Sequence, residues 1–557
     1  MLGILVARAS VGRPSPIVVR RTLHALLRTL IAALLAIPFA LVWGVGHAQV
    51  EDYLGPHRAH FAANYGGEIQ VDLGPIGNAY LPSPVAPVGI RITVGGVGQA
   101  TESLSSFFSE STLAAYAGIY TEPDEAVAGV VERLEVDALA RSLRAEAVLL
   151  LVFAAWFVRR LLWSPWLVGQ VSWRRVAGVY LVITAVIVGS ILAPRAPTGV
   201  RIPVEVAYGT KFAKLSVDSL LLSDLIDRGI RGIRLLSQRQ EAAVKNYVGR
   251  AADSLASYAG RLPKPAAGET MILGYSDLHC NQAMTELITR LERATEPAVV
   301  VSSGDDTVNG TAVERGCIRR ESKIVDGHVP LVVATGNHDS DVTEAQMRSD
   351  DVSVLDGAVV EAAGIDMLGD DDPEHNIPFS VDRTLDRPES EEQMAARLVG
   401  VAGNKHTDVI LVHQRAAALV IMKTPDPPTW LVLWGHFHNQ AGPTVITHGD
   451  GSWTVGMQQG TAGGVREPMF TSFSTPFSPP LINADVYFYF RDDATGLITG
   501  VQPVHFLPGA KVVIDPRIQT GDLAALPPET RARLGGGNPT PSPGDTASTV
   551  TETAAPR

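Results

Sequence analysis

The chain has 557 residues, with 46 Lys and Arg against 58 Asp and Glu, and its formal net charge is −12 near neutral pH. This length exceeds a single ordinary domain, so two or more are expected. The negative charge, and the lack of a basic patch interleaved with aromatic residues, argue against nucleic acid as a habitual partner.

Three apolar stretches lie in the first 200 residues, where the hydropathy is concentrated. Thr29 to Gly46 follows a run of arginines, Ala147 to Val158 ends at an arginine pair, and Val176 to Ala193 follows another pair. The first and third are about 18 residues long, near the length that crosses a bilayer. The second is shorter and could shift to include residues 161–168. We therefore predict a multi-pass membrane protein with three spans.

The arginines predict the orientation of these spans, because basic segments are retained in the cytoplasm. The cytoplasmic N-terminus and first span then cover residues 1–48, an extracytoplasmic loop 49–143, and the second and third spans 144–198. The region after residue 198 would lie at the outer face of the cell membrane. Thr29 to Gly46 also fits a signal peptide cleaved after Ala48, which leaves that region on the same side. If the second span did not insert, the region would face inward.

Residues 199–268 predict a membrane-proximal unit that precedes the C-terminal half of the chain. The strand-like sequence RIPVEVAYG could pair with IRITV of the outer loop, which continues into an acidic helical segment over 101–143. Apolar spacing over 215–258 is typical of a helix, which we interpret as a stalk or cap beside the region that follows.

The most informative feature is a run of five polar clusters, each after a short apolar stretch rich in β-branched residues. Such stretches indicate buried parallel strands. Ligands gather at the carboxyl ends of strands in α/β sheets, so the clusters are expected to converge. In chain order they are Asp277-Leu278-His279, Gly304-Asp305, Gly336-Asn337-His338-Asp339, His413 and Gly435-His436-Phe437-His438.

These five clusters resemble the pattern of the calcineurin-like metallophosphoesterases, which reads D-x-H, G-D, G-N-H-[DE], H and G-H-x-H. The resemblance covers roughly residues 270 to 505 and does not reach the N-terminal half. It implies a four-layer α/β/β/α sandwich, which we place at residues 269–510. It also implies hydrolysis of a phosphomonoester or phosphodiester by a metal-bridged water or hydroxide.

The resemblance also implies which residues bind metal. Two divalent or trivalent ions are expected, manganese by preference, with iron, zinc, nickel or cobalt as alternatives. A bridging carboxylate keeps two such ions about 3.5–4 Å apart, where both can polarise one phosphoryl group. The expected ligands are Asp277, His279 and His438 for the first ion, Asn337, His413 and His436 for the second, and Asp305 as the bridge.

Two catalytic residues complete the expected site. In the family the counterpart of His338 faces the substrate, where it stabilises developing charge or protonates the leaving oxygen. Asp339 is expected to orient that imidazole, as carboxylates do for histidines in other hydrolytic sites. Taken singly, Asp277 could cap a helix that starts near Asn281, and a lone His413 could be an ordinary buried histidine.

The two cysteines of the chain, Cys280 and Cys317, both fall in the catalytic region. An oxidising compartment would allow them to form a disulfide, which would clamp the first metal loop to a neighbouring helix. The alternative is two unrelated buried thiols.

Several segments carry no catalytic prediction. Asp370-Asp371-Asp372 is interpreted as a solvated turn that could also bind a cation weakly. The tail from residue 526 to 557, rich in Pro, Gly, Ser and Thr, is predicted to be disordered. The remaining histidines of the catalytic region are assigned structural roles: His328, His375, His406, His448 and His505.

The sequence therefore predicts a membrane-anchored metallophosphoesterase whose substrate is a phosphoester, including lipid or cell-envelope esters. The alternative from another class is a membrane sensor or scaffold that binds phosphate esters without turnover.

Overall fold

A computed structural model describes most of the chain. The described residues are 16–54, 57–95, 123–163, 173–192, 199–205, 212–258, 260–311, 314–325, 327, 329–348, 351–376, 383–385, 387–464, 483–535 and 549–552. Outside them lie residues 101–122 of the acidic segment predicted over 101–143, residues 164–172 of the basic loop, His328, and residues 536–548 and 553–557 of the tail.

Ten α-helices are found among the described residues. They are α1 (Pro16–Gly46), α2 (Pro123–Trp163), α3 (Trp173–Leu192), α4 (Leu220–Ala256), α5 (Gln282–Thr295), α6 (Arg315–Ser322), α7 (Asp341–Met347), α8 (Glu391–Asn404), α9 (Arg415–Lys423) and α10 (Pro528–Gly535). Short 3₁₀ turns occur at Gly74–Ile76 and Leu523–Ala525.

The described strands form three larger sheets and one hairpin. In chain order, the first seven strands are β1 (Gln49–Leu54), β2 (His57–Asn64), β3 (Glu68–Asp72), β4 (Asn78–Pro82), β5 (Gly89–Val94), β6 (Ile202–Pro203) and β7 (Ser216–Val217). The next ten strands, which belong to different sheets, are β8 (Glu269–Tyr275), β9 (Val299–Ser302), β10 (Leu331–Val333), β11 (Val352–Val354), β12 (Val360–Ala362), β13 (Ile365–Gly369), β14 (Glu374–Asn376), β15 (Arg383–Leu385), β16 (Thr407–Leu411) and β17 (Thr429–Trp434). The last seven strands are β18 (Ala441–Thr447), β19 (Trp453–Gln458), β20 (Ala484–Asp492), β21 (Ile498–Phe506), β22 (Val512–Ile514), β23 (Ile518–Gln519) and β24 (Thr549–Glu552). Strands β14 and β15 form the hairpin.

The chain divides into two compact units, one built from residues 1–51, 59–94 and 131–224 and the other from 52–58, 95–130 and 225–557. The sheet formed by β1 to β7 has the strand order β1-β2-β5-β3-β4-β7-β6. The two strand-like pieces expected to pair, which correspond to β5 and β6, both join this sheet. They do not pair directly, because β3, β4 and β7 lie between them.

Two further sheets form the catalytic region. One has the order β11-β10-β9-β8-β20-β21-β22, with β8 to β11 parallel and β20 antiparallel to β8. The other has the order β12-β13-β16-β17-β19-β18-β24, with β13, β16, β17 and β19 parallel. Parallel strands end at the same edge of a sheet, so each sheet presents its strand ends, and the loops that follow, together.

Alternate residues of these strands enter different cores, and this shows the layering. In β9, Val300 packs against helices α5 and α6, whereas Val299 and Val301 face the sheet that contains β16. In β16, Val409 and Leu411 face the sheet that contains β9, while Ile410 packs with helices α8 and α9. Because side chains alternate along a strand, the result is an α/β/β/α sandwich with three apolar cores. The predicted α/β class is confirmed.

The C-terminal part of helix α4 lies in the core beside the sheet that contains β8. Its residues Val248, Ala251 and Leu255 are buried there, and the Tyr247 hydroxyl donates a hydrogen bond of 3.1 Å to the Leu507 carbonyl. The end of this helix is thus part of the catalytic unit, as a helical layer packed on its sheet.

Helices α1, α2 and α3 contain the three apolar stretches of the N-terminal half. The second stretch is not separate from the acidic segment before it, because α2 runs without a break from Pro123 to Trp163. Within the described part of the chain, no helix meets both the length and the apolar content needed to traverse a bilayer.

The tail differs from its prediction. Helix α10 lies inside the segment expected to be disordered, and strand β24 pairs with β18. The reason is that Leu526 and Leu534 are buried in the core between the two sheets, which the Pro- and Gly-rich composition obscures.

Candidate metal centre

The five polar clusters follow the carboxyl ends of β8, β9, β10, β16 and β17. The structure brings all nine predicted site residues into one network of contacts. They are Asp277, His279, Asp305, Asn337, His338, Asp339, His413, His436 and His438. The convergence follows from the strand topology, since residues more than 150 positions apart in sequence meet at this edge.

One group of potential ligands is formed by Asp277, His279 and His438, whose donor atoms lie within 4.8 Å of one another. The Nε2 atoms of His279 and His438 are 3.0 Å apart, and His438 Nε2 is 3.3 Å from Asp277 Oδ1. Asp277 is fully buried, so its carboxylate is held in a fixed position.

A second group is formed by Asp305, His413 and His436. His413 Nε2 lies 3.1 Å from Asp305 Oδ2, and the same oxygen is 4.0 Å from His279 Nε2 of the first group. Asn337 joins this group through its Oδ1, which is 2.9 Å from His436 Nδ1. The Asp305 carboxylate therefore lies between the two groups.

Backbone carbonyls orient two of the imidazoles. His279 Nδ1 is 3.1 Å from the Thr307 carbonyl oxygen, and His413 Nδ1 is 2.8 Å from that of Ser303. A carbonyl only accepts, so each Nδ1 carries the hydrogen and donates it. Nε2 is then the nitrogen of each ring that is left to bind a metal ion.

The backbone at these residues adopts a left-handed conformation that non-glycine residues rarely take. Asp277, His279, Asp305, His436 and His438 all have φ between 46° and 73°. Such strain is concentrated at functional sites, where the surrounding structure enforces it. The short loops after the strands thus turn sharply enough to aim several side chains at one point.

Burial and neighbouring charges shift the pKa values of this site. Although burial alone would raise it, the facing imidazoles of His413 and His338 hold the pKa of Asp305 well below its usual value. Burial lowers the pKa of His279 and of His436 to about 4 each. In His413 the Asp305 carboxylate outweighs burial and raises the pKa to about 10. Asp305 is therefore an anion, and His279 and His436 are neutral donors, near pH 7.

His338 is held differently from the prediction. Its Nδ1 donates to the Val308 carbonyl oxygen at 2.7 Å, and its Nε2 lies 2.8 Å from Asn376 Nδ2. The Asp339 carboxylate accepts instead from the backbone amides of Asp305, Thr307 and Gly336 at 2.9 to 3.0 Å. Asp339 therefore fixes the loop that carries Asp305 and does not hold the imidazole.

Sequence reasoning missed two segments that support the site. The loop after β19 lies under the first ligand group, where the Thr461 hydroxyl and the Gly463 amide both donate to the Asp277 carbonyl oxygen. The segment 370–376 lies beside the loop after β10 and supplies Asn376. A polar cluster directly after β13 was the signal that could have identified the second segment.

The three aspartates after β13 are not the solvated turn that was predicted. Asp370, Asp371 and Asp372 are each at most 3 % exposed. Arg387 and Arg397 donate to the Asp370 carboxylate at 2.8 and 2.7 Å. These ion pairs offset the cost of burying the charge.

The predicted disulfide is present. Cys280 and Cys317 are bonded, with their Cα atoms 5.1 Å apart, and the bond links the loop after β8 to helix α6. It therefore joins the residue that follows His279 to the helix beside the site.

The donor set and the space around it fit a pair of metal ions. Oxygen and imidazole donors without thiolate suit manganese, iron, zinc, nickel or cobalt. Within the described residues the Nδ2 atom of Asn337 is buried without a hydrogen-bond partner, although its Oδ1 faces the site. That orientation is expected of an amide that presents its oxygen to a cation.

The sequence of residues 270–440 matches the family described as calcineurin-like phosphoesterase. The chain contains a calcineurin-like metallophosphoesterase domain. This confirms the resemblance drawn from the five clusters, and it identifies the domain as a phosphoric ester hydrolase. No curated protein matches the chain significantly.

Matches to solved structures were found at low sequence identity and low TM-score. NAD nucleotidase (NadN) of Haemophilus influenzae is 12 % identical, with 46 % of this chain and 50 % of that protein covered and a TM-score of 0.28. TT1561 of Thermus thermophilus is 13 % identical, with 41 % and 96 % covered and a TM-score of 0.27. A metallophosphoesterase from Sphaerobacter thermophilus is 16 % identical, with 48 % and 100 % covered and a TM-score of 0.19.

This chain thus spans half the length of the NAD nucleotidase that it matches. At these TM-scores, no substrate is carried over from any of the three proteins.

Proposed function

We propose that the chain hydrolyses phosphomonoesters or phosphodiesters with two metal ions bound at the strand ends. The first ion would be held by Asp277, His279 and His438, and the second by Asn337, His413 and His436. The position of Asp305 Oδ2, 3.1 Å from one histidine group and 4.0 Å from the other, supports its role as the bridge.

The single observation that carries the proposal is the convergence of two ligand groups around one carboxylate. When bound, the two ions supply Lewis-acid polarisation of the phosphoryl group and activation of water. His338, in its protonated form, would stabilise the developing charge or donate a proton to the leaving oxygen. Asp339 would keep Asp305 in place through the backbone of its loop.

The substitution Asp305→Asn tests this proposal, because it removes the bridging charge with little change in shape. The full chain, stripped of metal and reloaded with manganese, should lose at least about 100-fold of its activity on a chromogenic phosphodiester and on the matching monoester. Metal content per chain should fall in the same variant.

Asp366→Asn is the matched control. The carboxylate of Asp366, in β13, forms a surface ion pair with Lys405, so its loss should leave activity and metal content unchanged. Full activity in Asp305→Asn would contradict the metal assignment. Tight binding of a phosphoester with two metals bound and no turnover would favour the alternative of a sensor or scaffold.

We further propose that the domain works at the outer face of a membrane, where lipid and cell-envelope phosphoesters are available as substrates. The disulfide supports an oxidising compartment. Membrane attachment is supported by the exposed apolar side chains of α1, α2 and α3, such as Leu34, Leu151 and Val186, each at least 58 % exposed.

A further inference from the structure

The segment before β14, together with β14 itself, is fixed against the loop that carries the predicted catalytic histidine. The Asp372 amide donates to the Thr335 carbonyl oxygen at 3.1 Å, and the Asn376 amide donates to that of Asn337 at 2.7 Å. His375 Nδ1 donates to the Asp339 carbonyl oxygen at 2.5 Å. These contacts hold β14 rigidly beside His338.

The side chain of Asn376 reaches the reactive edge of the imidazole. Its Nδ2 lies 2.8 Å from His338 Nε2, the nitrogen that faces away from the Val308 carbonyl. The same Nδ2 is 3.4 Å from His338 Nδ1, so the Asn376 amide lies against the imidazole close to both ring nitrogens.

Strand β15 adds a cation to this same face of the hairpin. Asn376 and Arg383 are directly opposite in the antiparallel register, so their side chains project to one face. Arg383 contacts Glu374 at 3.2 Å, and its side chain remains 43 % exposed.

The ion pair between Arg383 and Glu374 is not needed to hold the fold, because exposed pairs of this kind contribute little to stability. Arg383 is the cross-strand neighbour of Asn376, whose side-chain amide contacts the imidazole of His338. The register of the two strands therefore places the guanidinium group on the face of the hairpin that meets the site.

We infer that the hairpin β14–β15 selects the substrate: Arg383 binds a second anionic group of the phosphoester, and Asn376 positions His338 against the scissile phosphoryl group. This inference rests on the proposed function. The second group would be a carboxylate or a further phosphate, which a guanidinium binds through paired hydrogen bonds. Glu374 occupies Arg383 in the free protein, and the substrate anion would displace it.

The test compares 3-carboxyphenyl phosphate with phenyl phosphate, using the manganese-loaded full chain. Arg383→Gln should lower kcat/KM for the carboxylated ester by about 10- to 100-fold, through KM, because a charged hydrogen bond is lost. The same variant should change kcat/KM for phenyl phosphate by less than about 3-fold. Arg383→Lys should restore part of the loss, and Glu374→Gln should lower KM for the carboxylated ester alone.

Arg290→Gln is the matched control, because Arg290 is an equally exposed arginine paired with Glu286 on helix α5. The Arg290→Gln variant should leave kcat/KM unchanged for both esters. Asn376→Ala should lower kcat for both esters while KM and metal content stay constant, which a merely structural role would not produce.

Equal effects of Arg383→Gln on the two esters, or none on either, would overturn the inference even if Asp305→Asn behaves as proposed. If the wild-type chain turns over neither ester, the proposed function fails separately. Calorimetric binding of the two esters to the metal-loaded chain then decides: unchanged affinity of Arg383→Gln for the carboxylated ester would overturn the inference.

Discussion

Gly336 shows how little space the site leaves around its ligands. A Cβ atom at this position would lie 2.3 Å from Asp305 Oδ1 and 2.8 Å from His413 Nδ1. Neither atom can retreat, because Asp305 and His413 are both buried and hydrogen-bonded. The absence of a side chain is what allows the loop after β10 to pass between two proposed ligands.

The substitution Gly336→Ala should therefore displace Asp305 or His413 and lower the affinity for manganese by at least about 10-fold. Titration of the metal-free chain with manganese measures this change. Gly400→Ala in helix α8 is the control, since nothing lies within 4 Å of its added methyl group. It should leave metal affinity unchanged and stabilise the helix by up to about 1 kcal/mol. Unchanged affinity in Gly336→Ala would argue that this loop does not carry ligands.

Helix α6 and the loop before it support the site as one element. Glu314, just before the helix, accepts from the backbone amides of Val308, Asn309 and Thr311. The Val308 carbonyl in turn accepts from His338, and the disulfide ties the same helix to the loop that carries His279. One short helix thus links the first ligand group to the predicted proton donor.

Removal of this disulfide should reduce stability without abolishing the fold. Its cysteines are 37 residues apart, and a loop of that length contributes about 3–4 kcal/mol by restricting the unfolded chain. A thiol reductant should therefore shift the midpoint of denaturant unfolding of the wild type to a lower denaturant concentration. The double variant Cys280→Ser/Cys317→Ser should have this lower midpoint without reductant and show no further shift when reductant is added. A wild type that does not respond to the reductant while both thiols are titratable would contradict this estimate.

Among the residues that the structure describes, exposed large apolar side chains are concentrated in the three N-terminal helices. In α3 the side chains of Leu181, Val182 and Val186 are 62–65 % exposed. Such continuous apolar surface has a high free-energy cost in water, roughly 25 cal/mol for each Å². A membrane would remove that cost, as we propose.

Fractionation of cells that express the full chain tests this proposal. The protein should sediment with the membranes and remain there after alkaline carbonate treatment. Val182→Lys/Val186→Lys should shift it toward the soluble fraction, because two charges would enter the apolar face. Leu220→Lys is the control, since Leu220 in α4 is also exposed and lies outside the apolar stretches. A wild-type chain found entirely in the soluble fraction would contradict the membrane proposal.

The strand-end clusters could be predicted from the sequence because both signals are local. An apolar, β-branched stretch predicts a buried strand, and the polar residues directly after it belong to the strand end. Parallel strands share an edge, so Asp277, Asp305 and His413 were expected together before any coordinates. The family pattern added the pairing of residues with ions. The sequence allowed a disulfide between the two cysteines of the catalytic region, with two separate buried thiols as the alternative.

The tertiary structure alone decided the contacts that depend on packing between distant segments. Asp339 lies next to His338 in sequence, yet its carboxylate accepts from amides 32 to 34 residues away. Asn376 reaches His338 only because β14 lies against the loop after β10, and no periodicity predicts that. Asp370 is buried because two arginines from later in the chain neutralise it. Sequence patterns report which face of a strand or helix is apolar, whereas hydrogen bonds across loops depend on where the backbone brings each polar group.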